Sequence, residues 1–206
     1  MTGRRPVPLR TMRRLAVPGL ITLIAVALLA VLAFGVSHSG PSNALASEVS
    51  RGERPAAPKA NMALPVLGSA KRKVLADYRG KIVLLNVFAG WCSSCQLEAG
   101  LLAKAQKTLS VHDGTILGVT YQDSTSDAES YMSQYHLAFP VLRDPTGDFS
   151  SSYGVNGIPE TFIIGPTGHV LEACASQLTS QWLSKALANA LDGAVVTADK
   201  QLPSPC

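Results

Sequence analysis

The chain beyond residue 60 carries no excess of positive charge. Residues 61–206 contain ten lysines and arginines against twelve aspartates and glutamates, so their formal charge is near −2. Proteins that bind nucleic acid neutralise phosphates with clustered basic side chains, and this segment offers no such patch. The sequence also contains no internal repeat, which excludes a solenoid or a propeller.

Candidate metal ligands are few and scattered. The four histidines stand singly, at His38, His112, His136 and His169. A structural zinc site usually needs two pairs of cysteine or histidine ligands, and only Cys92 and Cys95 form such a pair. Met62 and Met132 are isolated, so a redox-inactive metal-binding or copper-handling module is only an alternative interpretation.

Residues 15–36 contain no charged side chain. A helix of these 22 residues would be about 33 Å long, enough to cross a hydrocarbon layer of about 30 Å. Five arginines lie within residues 1–14, and cationic flanks stay on the cytoplasmic side. We therefore predict a cytoplasmic basic segment over 1–14, a single transmembrane anchor over 15–36, and a domain outside the cytoplasmic membrane.

A cleaved signal peptide is the alternative to an anchor. Ala44-Leu45-Ala46 has the small-x-small pattern of a cleavage site, and cleavage near Ala46 would give a secreted protein. Against cleavage, the apolar run is long for a signal peptide and ends about ten residues before that site. Both interpretations export the domain, and disulfides form and persist outside the cytoplasm.

The remaining chain divides by composition into three parts. Residues 37–61 are rich in Ser, Pro, Ala and Gly, which predicts a flexible linker. Residues 62–192 alternate apolar runs typical of buried strands with helical spacing, and residues 193–206 form a tail. We predict strands over 81–89 and 115–121 and a hairpin over 161–174. We predict helices over 93–109, 124–137 and 179–191, the second of them with Ser124 as its N-cap. This order predicts a three-layer α/β sandwich with a mixed central sheet.

The stretch FAGWCSSCQLE, residues 88–98, carries the chemistry. It places Cys92 and Cys95 where the first strand meets the first helix. Unpaired N–H groups and the positive end of the helix dipole stabilise a thiolate at Cys92 and lower its pKa. Cys95 lies one turn further on the same side, where it can close the disulfide and release a bound partner. We predict an attacking and a resolving thiol, and an inert structural disulfide is the alternative.

Two cysteines are left over, Cys174 and Cys206. They could bond each other. The interpretation we favour is that Cys174 is a buried, small apolar residue on a strand. Cys206 belongs to a tail that contains Pro203 and Pro205, and we expect it to be mobile.

Two segments resemble a known family. GKIVLLNVFAGWCSSCQLE (80–98) and YGVNGIPETFIIGPTGHV (153–170) are similar to the matching segments of thioredoxin-like proteins, in the membrane-anchored branch that includes TlpA, ResA and CcmG (DsbE). The resemblance covers about residues 62–192 and implies the thioredoxin-like fold. The chain departs from the pattern at Ser93-Ser94, where relatives commonly have a proline, so the redox potential cannot be carried over.

The resemblance implies roles for five further residues. Pro159 matches the cis-proline that faces the cysteine pair, where it keeps an N–H away from the active sulfur while Ile158 presents its backbone to a substrate strand. Glu98 matches an acidic residue that can raise a thiol pKa and carry a proton. Glu160 belongs to the family's Pro-Glu-Thr-Phe segment, and Trp91 is expected to be a packing lid and a partner contact. Solvated surface carboxylates are the alternative for both glutamates.

The resemblance also implies a function. It is that of an extracytoplasmic thiol–disulfide oxidoreductase, a reductant in cytochrome c biogenesis that needs no cofactor. Its implied partners are apocytochrome c or its maturation proteins, with a membrane electron donor of the CcdA/DsbD kind. An oxidase that donates disulfides to exported proteins is the alternative, because nothing in the sequence fixes the direction. A peroxidase is disfavoured, because thioredoxin-fold peroxidases usually carry a threonine where this chain has Ala89.

Overall fold

The computed structural model describes residues 22–30 and 44–192. The chain divides into two compact units, residues 1–41 and 42–206. In the first unit, residues 22–30 form helix α1, whose side chains are exposed. No helix within these described ranges is both long and apolar enough to cross a membrane. The predicted basic segment and most of the predicted anchor lie outside the described residues and stay predictions.

The second unit alternates strands and helices in the predicted manner. A short 3-10 turn (Leu75–Tyr78) precedes the first long strand. In chain order, the elements are α2 (Ala44–Ser50), β1 (Leu64–Pro65), β2 (Arg72–Lys73), β3 (Val83–Phe88), α3 (Ser93–Ser110), β4 (Thr115–Tyr121), α4 (Thr125–Gln134), β5 (Val141–Asp144), α5 (Asp148–Ser152), β6 (Glu160–Ile164), β7 (Val170–Cys174) and α6 (Ser180–Leu191).

The main sheet has five strands in the order β5-β4-β3-β6-β7. β4 pairs in parallel with β3 and β5, whereas β6 pairs antiparallel with β3 and β7. All six residues of the central strand β3 are buried, as its near-continuous apolar run predicts. The mixed sheet expected from the sequence is therefore confirmed.

Helices cover both faces of this sheet. On one face, α3, α4 and α6 contribute Leu102, Tyr131 and Trp182 to a core with Leu84 and Ile163 of the sheet. On the opposite face, α2 and α5 contribute Val49 and Phe149 to a second core that includes Leu85 and Phe162. The strand residues alternate between the two cores, as the period of two in a β-strand requires. This is the predicted three-layer arrangement.

Local sequence signals account for several element boundaries. The Ser124 hydroxyl accepts a hydrogen bond from the Asp127 N–H (3.0 Å) at the start of α4, which confirms the predicted N-cap. α4 ends at Gln134, three residues earlier than predicted, and His136 then has a positive φ of 52° that no helix accommodates. The hairpin of β6 and β7 is also confirmed, with Gly168 in its turn at a φ of 82°.

The predicted flexible linker over residues 37–61 needs correction in its described part. Residues 44–50 form α2, with Leu45 and Val49 buried in the core beneath it. Further along, the Ala57 N–H donates to the Gly168 carbonyl and the Val170 N–H donates to the Pro55 carbonyl, both at 2.9 Å. Two apolar residues four positions apart lie on one face of a helix and suffice to pack a short helix against the core. In a segment rich in small and polar residues, such a pair does not stand out as a helical pattern.

Cys174, at the end of β7, is buried, as a strand position predicts. It is also disulfide-bonded, which corrects the favoured interpretation of a buried apolar thiol. Cys92 and Cys95 bond each other, so the partner of Cys174 does not lie among the described residues. Cys206 is likewise outside them.

Replacing Val49 by alanine tests whether α2 belongs to the folded unit. Val49 is 1% exposed, so we expect the substitution to lower the free energy of unfolding by about 1–3 kcal/mol through lost burial and a cavity. Val111→Ala is the matched control because Val111 is 78% exposed, and we expect a change within about 0.5 kcal/mol. Urea denaturation measures both, and equal values for the two variants would show that residues 44–50 do not contribute to the core.

Candidate functional site

Cys92 and Cys95 form a disulfide at the start of α3. Cys92 is the N-cap of this helix, and its Sγ accepts a hydrogen bond from the Cys95 N–H at 3.1 Å. The same N–H group and the helix dipole would stabilise a thiolate at this sulfur after reduction. Cys92 is 6% exposed and Cys95 0%, so of the two residues only Cys92 reaches the surface. The predicted junction of strand and helix is therefore present.

The loop before β6 meets the cysteine pair from the side. The Ile158–Pro159 peptide bond is cis, as predicted. The Ile158 carbonyl oxygen lies 3.6 Å from the Cys92 Sγ, and Pro159 is buried next to it. Because proline has no N–H, no backbone donor of residue 159 competes for the sulfur. Ile158 is only partly buried, so the loop beside the sulfur reaches the surface.

Glu98 is fully buried, which excludes the solvated-carboxylate alternative. It lies on α3 three residues after Cys95, on the same face of the helix. Its Oε1 accepts a hydrogen bond from the Asn86 side-chain amide and its Oε2 accepts one from the Leu178 N–H, both at 2.8 Å. Burial raises the pKa of Glu98 from its usual 4.5 to about 7, although these two hydrogen bonds act in the opposite direction. The carboxyl can therefore hold or release a proton near neutral pH.

Glu160 is also buried, directly after Pro159, and the surface alternative is excluded for it as well. Its Oε1 accepts a hydrogen bond from the Asn156 N–H at 3.2 Å. Burial raises its pKa to about 7, against the lowering effect of the Asn156 and Gly157 backbone amides. Glu160 therefore ties together the loop that ends in Ile158 and Pro159.

Trp91, the predicted packing lid, lies on the surface instead. Trp91 is 60% exposed, so most of the residue contacts solvent. A large exposed aromatic side chain next to Cys92 is suited to contacting another protein. The contact role remains a prediction.

Asn86 and Thr161 complete the Glu98 site and were not singled out from the sequence. They are directly paired residues of β3 and β6. The Asn86 side-chain amide donates to the Thr161 hydroxyl at 3.0 Å as well as to Glu98. A signal was available, because Asn86 is the one polar residue in the apolar run 82–89, and a buried polar side chain needs a partner.

Tyr131 of α4 also belongs to this buried group. Its hydroxyl donates to the Cys95 carbonyl at 2.9 Å. Burial, followed by the nearby Glu98 carboxylate, raises the pKa of Tyr131, so the hydroxyl keeps its proton and stays a donor. The contact holds the first turn of α3 in place. Nothing in the helical pattern of residues 124–137 distinguishes Tyr131 from an ordinary core residue.

Asp123 fixes the loop that carries Trp91 and Cys92. Its carboxylate accepts hydrogen bonds from the Gly90 N–H (2.7 Å) and the Ser124 N–H (2.9 Å). A Cβ on Gly90 would collide with the Asp127 carbonyl oxygen, so only glycine allows this close packing against α4. Sequence reasoning missed Asp123 because its partners become neighbours only in the folded chain.

Metal ligands are not grouped in the part of the chain that the structure describes. No set of three or more histidine, cysteine, aspartate or glutamate side chains is arranged there to hold a metal ion. The site described above is built of two sulfurs and a buried carboxyl network.

Comparisons with known proteins agree with this geometry. The AhpC/TSA family profile matches residues 56–173. The thiol:disulfide interchange protein HelX of Rhodobacter capsulatus is 31% identical over 169 residues, which cover 81% of this chain and 88% of HelX. The thiol:disulfide interchange protein DsbE of Pseudomonas fluorescens biotype C is 36% identical over 107 residues, 51% of this chain. The chain spans only 57% of the length of that DsbE.

A solved structure extends the likeness to the fold. A crystal structure from Chlorobium tepidum, described as a thiol:disulfide interchange protein DsbE, superposes with a TM-score of 0.60 at 28% sequence identity. The match covers 67% of this chain and 96% of that one. The thioredoxin-like architecture expected from the sequence is therefore confirmed.

The raised pKa of Glu98 predicts a pH dependence of stability. Between pH 4.5 and about 7 the folded state binds the Glu98 proton and the unfolded chain does not, so the free energy of unfolding falls as the pH rises through this window. For a group this buried the loss is about 3 kcal/mol. We expect Glu98→Gln to remove that part of the fall between pH 5 and pH 8, measured by urea denaturation of the oxidised protein.

Glu129→Gln is the control for this experiment, because Glu129 is exposed on α4. We expect its pH profile to run parallel to that of the unsubstituted protein. A Glu98→Gln profile that is also parallel would show that Glu98 does not titrate in this window.

Proposed function

The chain belongs to the AhpC/TSA family, and from that membership and the geometry of the Cys92–Cys95 pair we propose that it is a thiol–disulfide oxidoreductase acting on protein thiols and disulfides. The observation that carries the proposal is the position of the Cys92 sulfur. It caps the N-terminus of α3 and lies 3.6 Å from the Ile158 carbonyl. This sulfur is thus both activated by the helix and placed beside a backbone edge that a substrate can reach.

The exchange follows from the order of the two sulfurs. In the reduced protein the Cys92 thiolate attacks one sulfur of a partner disulfide, and the partner's other sulfur leaves as a thiolate and takes up a proton. The Cys95 thiol then loses its proton and attacks the Cys92 sulfur. The mixed disulfide breaks, and the partner's second sulfur leaves as a thiolate and takes up a proton. Two electrons have passed to the partner, whose two thiols carry protons equal in number to the one lost by Cys95 and one taken from solvent, and the protein holds the Cys92–Cys95 disulfide.

Glu98 is the group we assign to the Cys95 proton. Cys95 is completely buried, so its proton needs an acceptor inside the protein. Glu98 follows one helical turn later, and its pKa of about 7 leaves it partly ionised at neutral pH. The Tyr131 hydroxyl holds the Cys95 carbonyl and has its own pKa raised by Glu98, which supports the closeness of the carboxyl to this turn.

The partner surface that we propose surrounds Cys92. The accessible backbone of Ile158 can pair with an extended substrate segment, and Glu160 holds the loop in the conformation that presents it. Trp91, the residue before Cys92, offers an exposed aromatic contact. Aromatic side chains of this kind often dominate the energy of protein interfaces.

For the cellular role, we propose a reductant in cytochrome c biogenesis. The resemblance to the TlpA, ResA and CcmG branch supports apocytochrome c or its maturation proteins as partners, and a CcdA/DsbD-like membrane protein as the electron donor. The uncharged run over residues 15–36 and the arginines before it support a membrane anchor with the domain outside the cytoplasm. An oxidase that donates disulfides to exported proteins is the other direction of the same chemistry.

A trapping experiment tests the exchange. We expect reduced Cys95→Ser to form a stable adduct with a synthetic peptide that carries a Cys-x-x-Cys-His disulfide, because nothing remains to resolve the mixed disulfide. Cys92→Ser is the matched variant, and we expect no adduct because the Cys95 sulfur is inaccessible. Intact-mass spectrometry measures both. Adducts of equal amount, or none with either variant, would contradict the proposed order of attack.

The reduction potential of the Cys92–Cys95 disulfide decides the direction of electron transfer. We would equilibrate the full chain in thiol/disulfide buffers, alkylate it, and follow only the tryptic peptide of residues 82–104, which contains both cysteines. We expect a potential of about −250 mV or lower, which suits a reductant. A potential of about −150 mV or higher would make the protein an oxidant and refute the role in cytochrome c biogenesis.

A further inference from the structure

The Asn86 side-chain amide uses only its nitrogen in the oxidised protein. Asn86 is fully buried on β3. Its Nδ2 donates to the Glu98 Oε1 at 2.8 Å and to the Thr161 hydroxyl at 3.0 Å. Its Oδ1 is buried as well, but it accepts no hydrogen bond from any described residue. Buried polar atoms without a partner are rare in proteins, and such an atom can indicate a role in chemistry.

The hydrogen-bond partners of Glu98 suit only one of its protonation states. Its Oε1 faces the Asn86 amide nitrogen and its Oε2 faces the Leu178 N–H. Both groups are donors, so they serve an ionised carboxylate, which only accepts hydrogen bonds. A neutral carboxyl carries an O–H, and these two contacts offer it no acceptor. Yet burial raises the pKa of Glu98 to about 7, so the neutral form is populated at neutral pH.

A primary amide can serve both protonation states, because it carries a donor and an acceptor of nearly equal size. Half a turn about the Asn86 Cβ–Cγ bond exchanges the positions of Nδ2 and Oδ1 without displacing neighbouring side chains. The amide oxygen can then accept a hydrogen bond from the Glu98 O–H. It can also accept one from Thr161, whose hydroxyl is able to donate or to accept.

We propose that Asn86 is a positioning residue for Glu98 and that its amide reverses when Glu98 takes up the Cys95 proton. This inference rests on the proposed function, in which the resolving step delivers that proton. If the amide kept its orientation, the Glu98 O–H and the Asn86 Oδ1 would both be buried without a partner, and each such group is costly. After reversal only the amide nitrogen lacks a partner, just as only the oxygen does before it.

The groups around Glu98 leave its hydrogen-bond partners to respond to its charge. Tyr131 approaches from α4 and keeps its proton. In the oxidised protein, Cys95 on α3 and Cys174 at the end of β7 are disulfide-bonded and do not titrate. Glu160 precedes the paired position on β6, and successive strand residues point to opposite faces of the sheet. No described lysine, arginine or histidine forms an ion pair with Glu98.

Nuclear magnetic resonance tests the reversal directly. The oxidised full chain in detergent would carry isotope-labelled asparagine, glutamate and threonine, and the signals of Asn86 and Glu98 would be assigned by their loss in Asn86→Leu and Glu98→Gln. At pH 9 we expect strong cross-relaxation between the Asn86 amide protons and the Thr161 side chain. At pH 5 we expect it to be several-fold weaker, with the same midpoint as the titration of the Glu98 carboxyl signal.

The Asn61 amide is the control within the same sample, because Asn61 is exposed, and we expect no such change in its surroundings. Cross-relaxation of Asn86 with Thr161 that is equally strong at both pH values would overturn the inference. A Glu98 carboxyl signal that does not titrate between them would do so too. This titration needs no exchange partner, so its outcome does not depend on the proposed exchange.

The resolving step tests the consequence for the exchange. The reduced full chain would react with the peptide disulfide of the trapping experiment, and acid-quenched samples would give the lifetime of the mixed disulfide on the tryptic peptide of residues 82–104. Asn86→Leu removes a donor to the ionised carboxylate, which raises the pKa of Glu98 and leaves less carboxylate to accept the Cys95 proton. We expect the lifetime at pH 7 to lengthen about tenfold and the pH of half-maximal resolution to rise.

The double variant separates this role from a general loss of structure. Because Asn86 acts through Glu98, we expect Asn86→Leu with Glu98→Gln to resolve no more slowly than Glu98→Gln alone. Further slowing in the double variant, or an unchanged lifetime in Asn86→Leu, would overturn the positioning role. If the unsubstituted protein formed no mixed disulfide at all, the proposed function would be refuted instead, while the amide titration would still decide whether Asn86 reverses.

Discussion

The antiparallel pairing of β3 with β6 is the constraint on which the site depends. It sets Asn86 opposite Thr161 and Val87 opposite Glu160. Because β3 leads into Cys92 and the Ile158–Pro159 loop leads into β6, the same register brings the sulfur and the Ile158 carbonyl together. A shift of one residue would turn every side chain of β6 to the other face of the sheet. Asn86 would then lose Thr161, and the loop would no longer meet the helix.

The buried Glu98 carboxyl shows how opposing effects are balanced at this site. Two N–H donors favour its ionised form, whereas removal from water favours its neutral form. Removal from water outweighs the two donors and raises the pKa to about 7, so both forms are populated near neutral pH. With only one of the two donors the neutral form would gain, and with more solvent the charged form would dominate. The Glu98 carboxyl can therefore take up or release a proton near neutral pH.

The sequence allowed the sheet, the cysteine pair and the cis-proline loop to be predicted because each has a local signature. Apolar runs indicated β3 and β4, and the segments around Cys92 and Pro159 carry recognisable motifs. The burial of Glu98 had no such signature. It depends on Leu178, which lies 80 positions away in the chain, and on the approach of α6. The docking of α2 was missed for the same reason, since Leu45 and Val49 are too few to give a helical period.

The unequal access to the two sulfurs has a kinetic consequence. In the proposed exchange, electron donor and electron acceptor both react at Cys92, because Cys95 is fully buried. They therefore share one docking surface and cannot be bound together. Turnover would then alternate between two half-reactions in a ping-pong cycle. A partner in excess would also bind the redox form of the protein with which it cannot react, and would slow the reaction of the other partner. Under the proposed function, the supply of the two partners, and not only their redox potentials, would then set the flux of electrons through this protein.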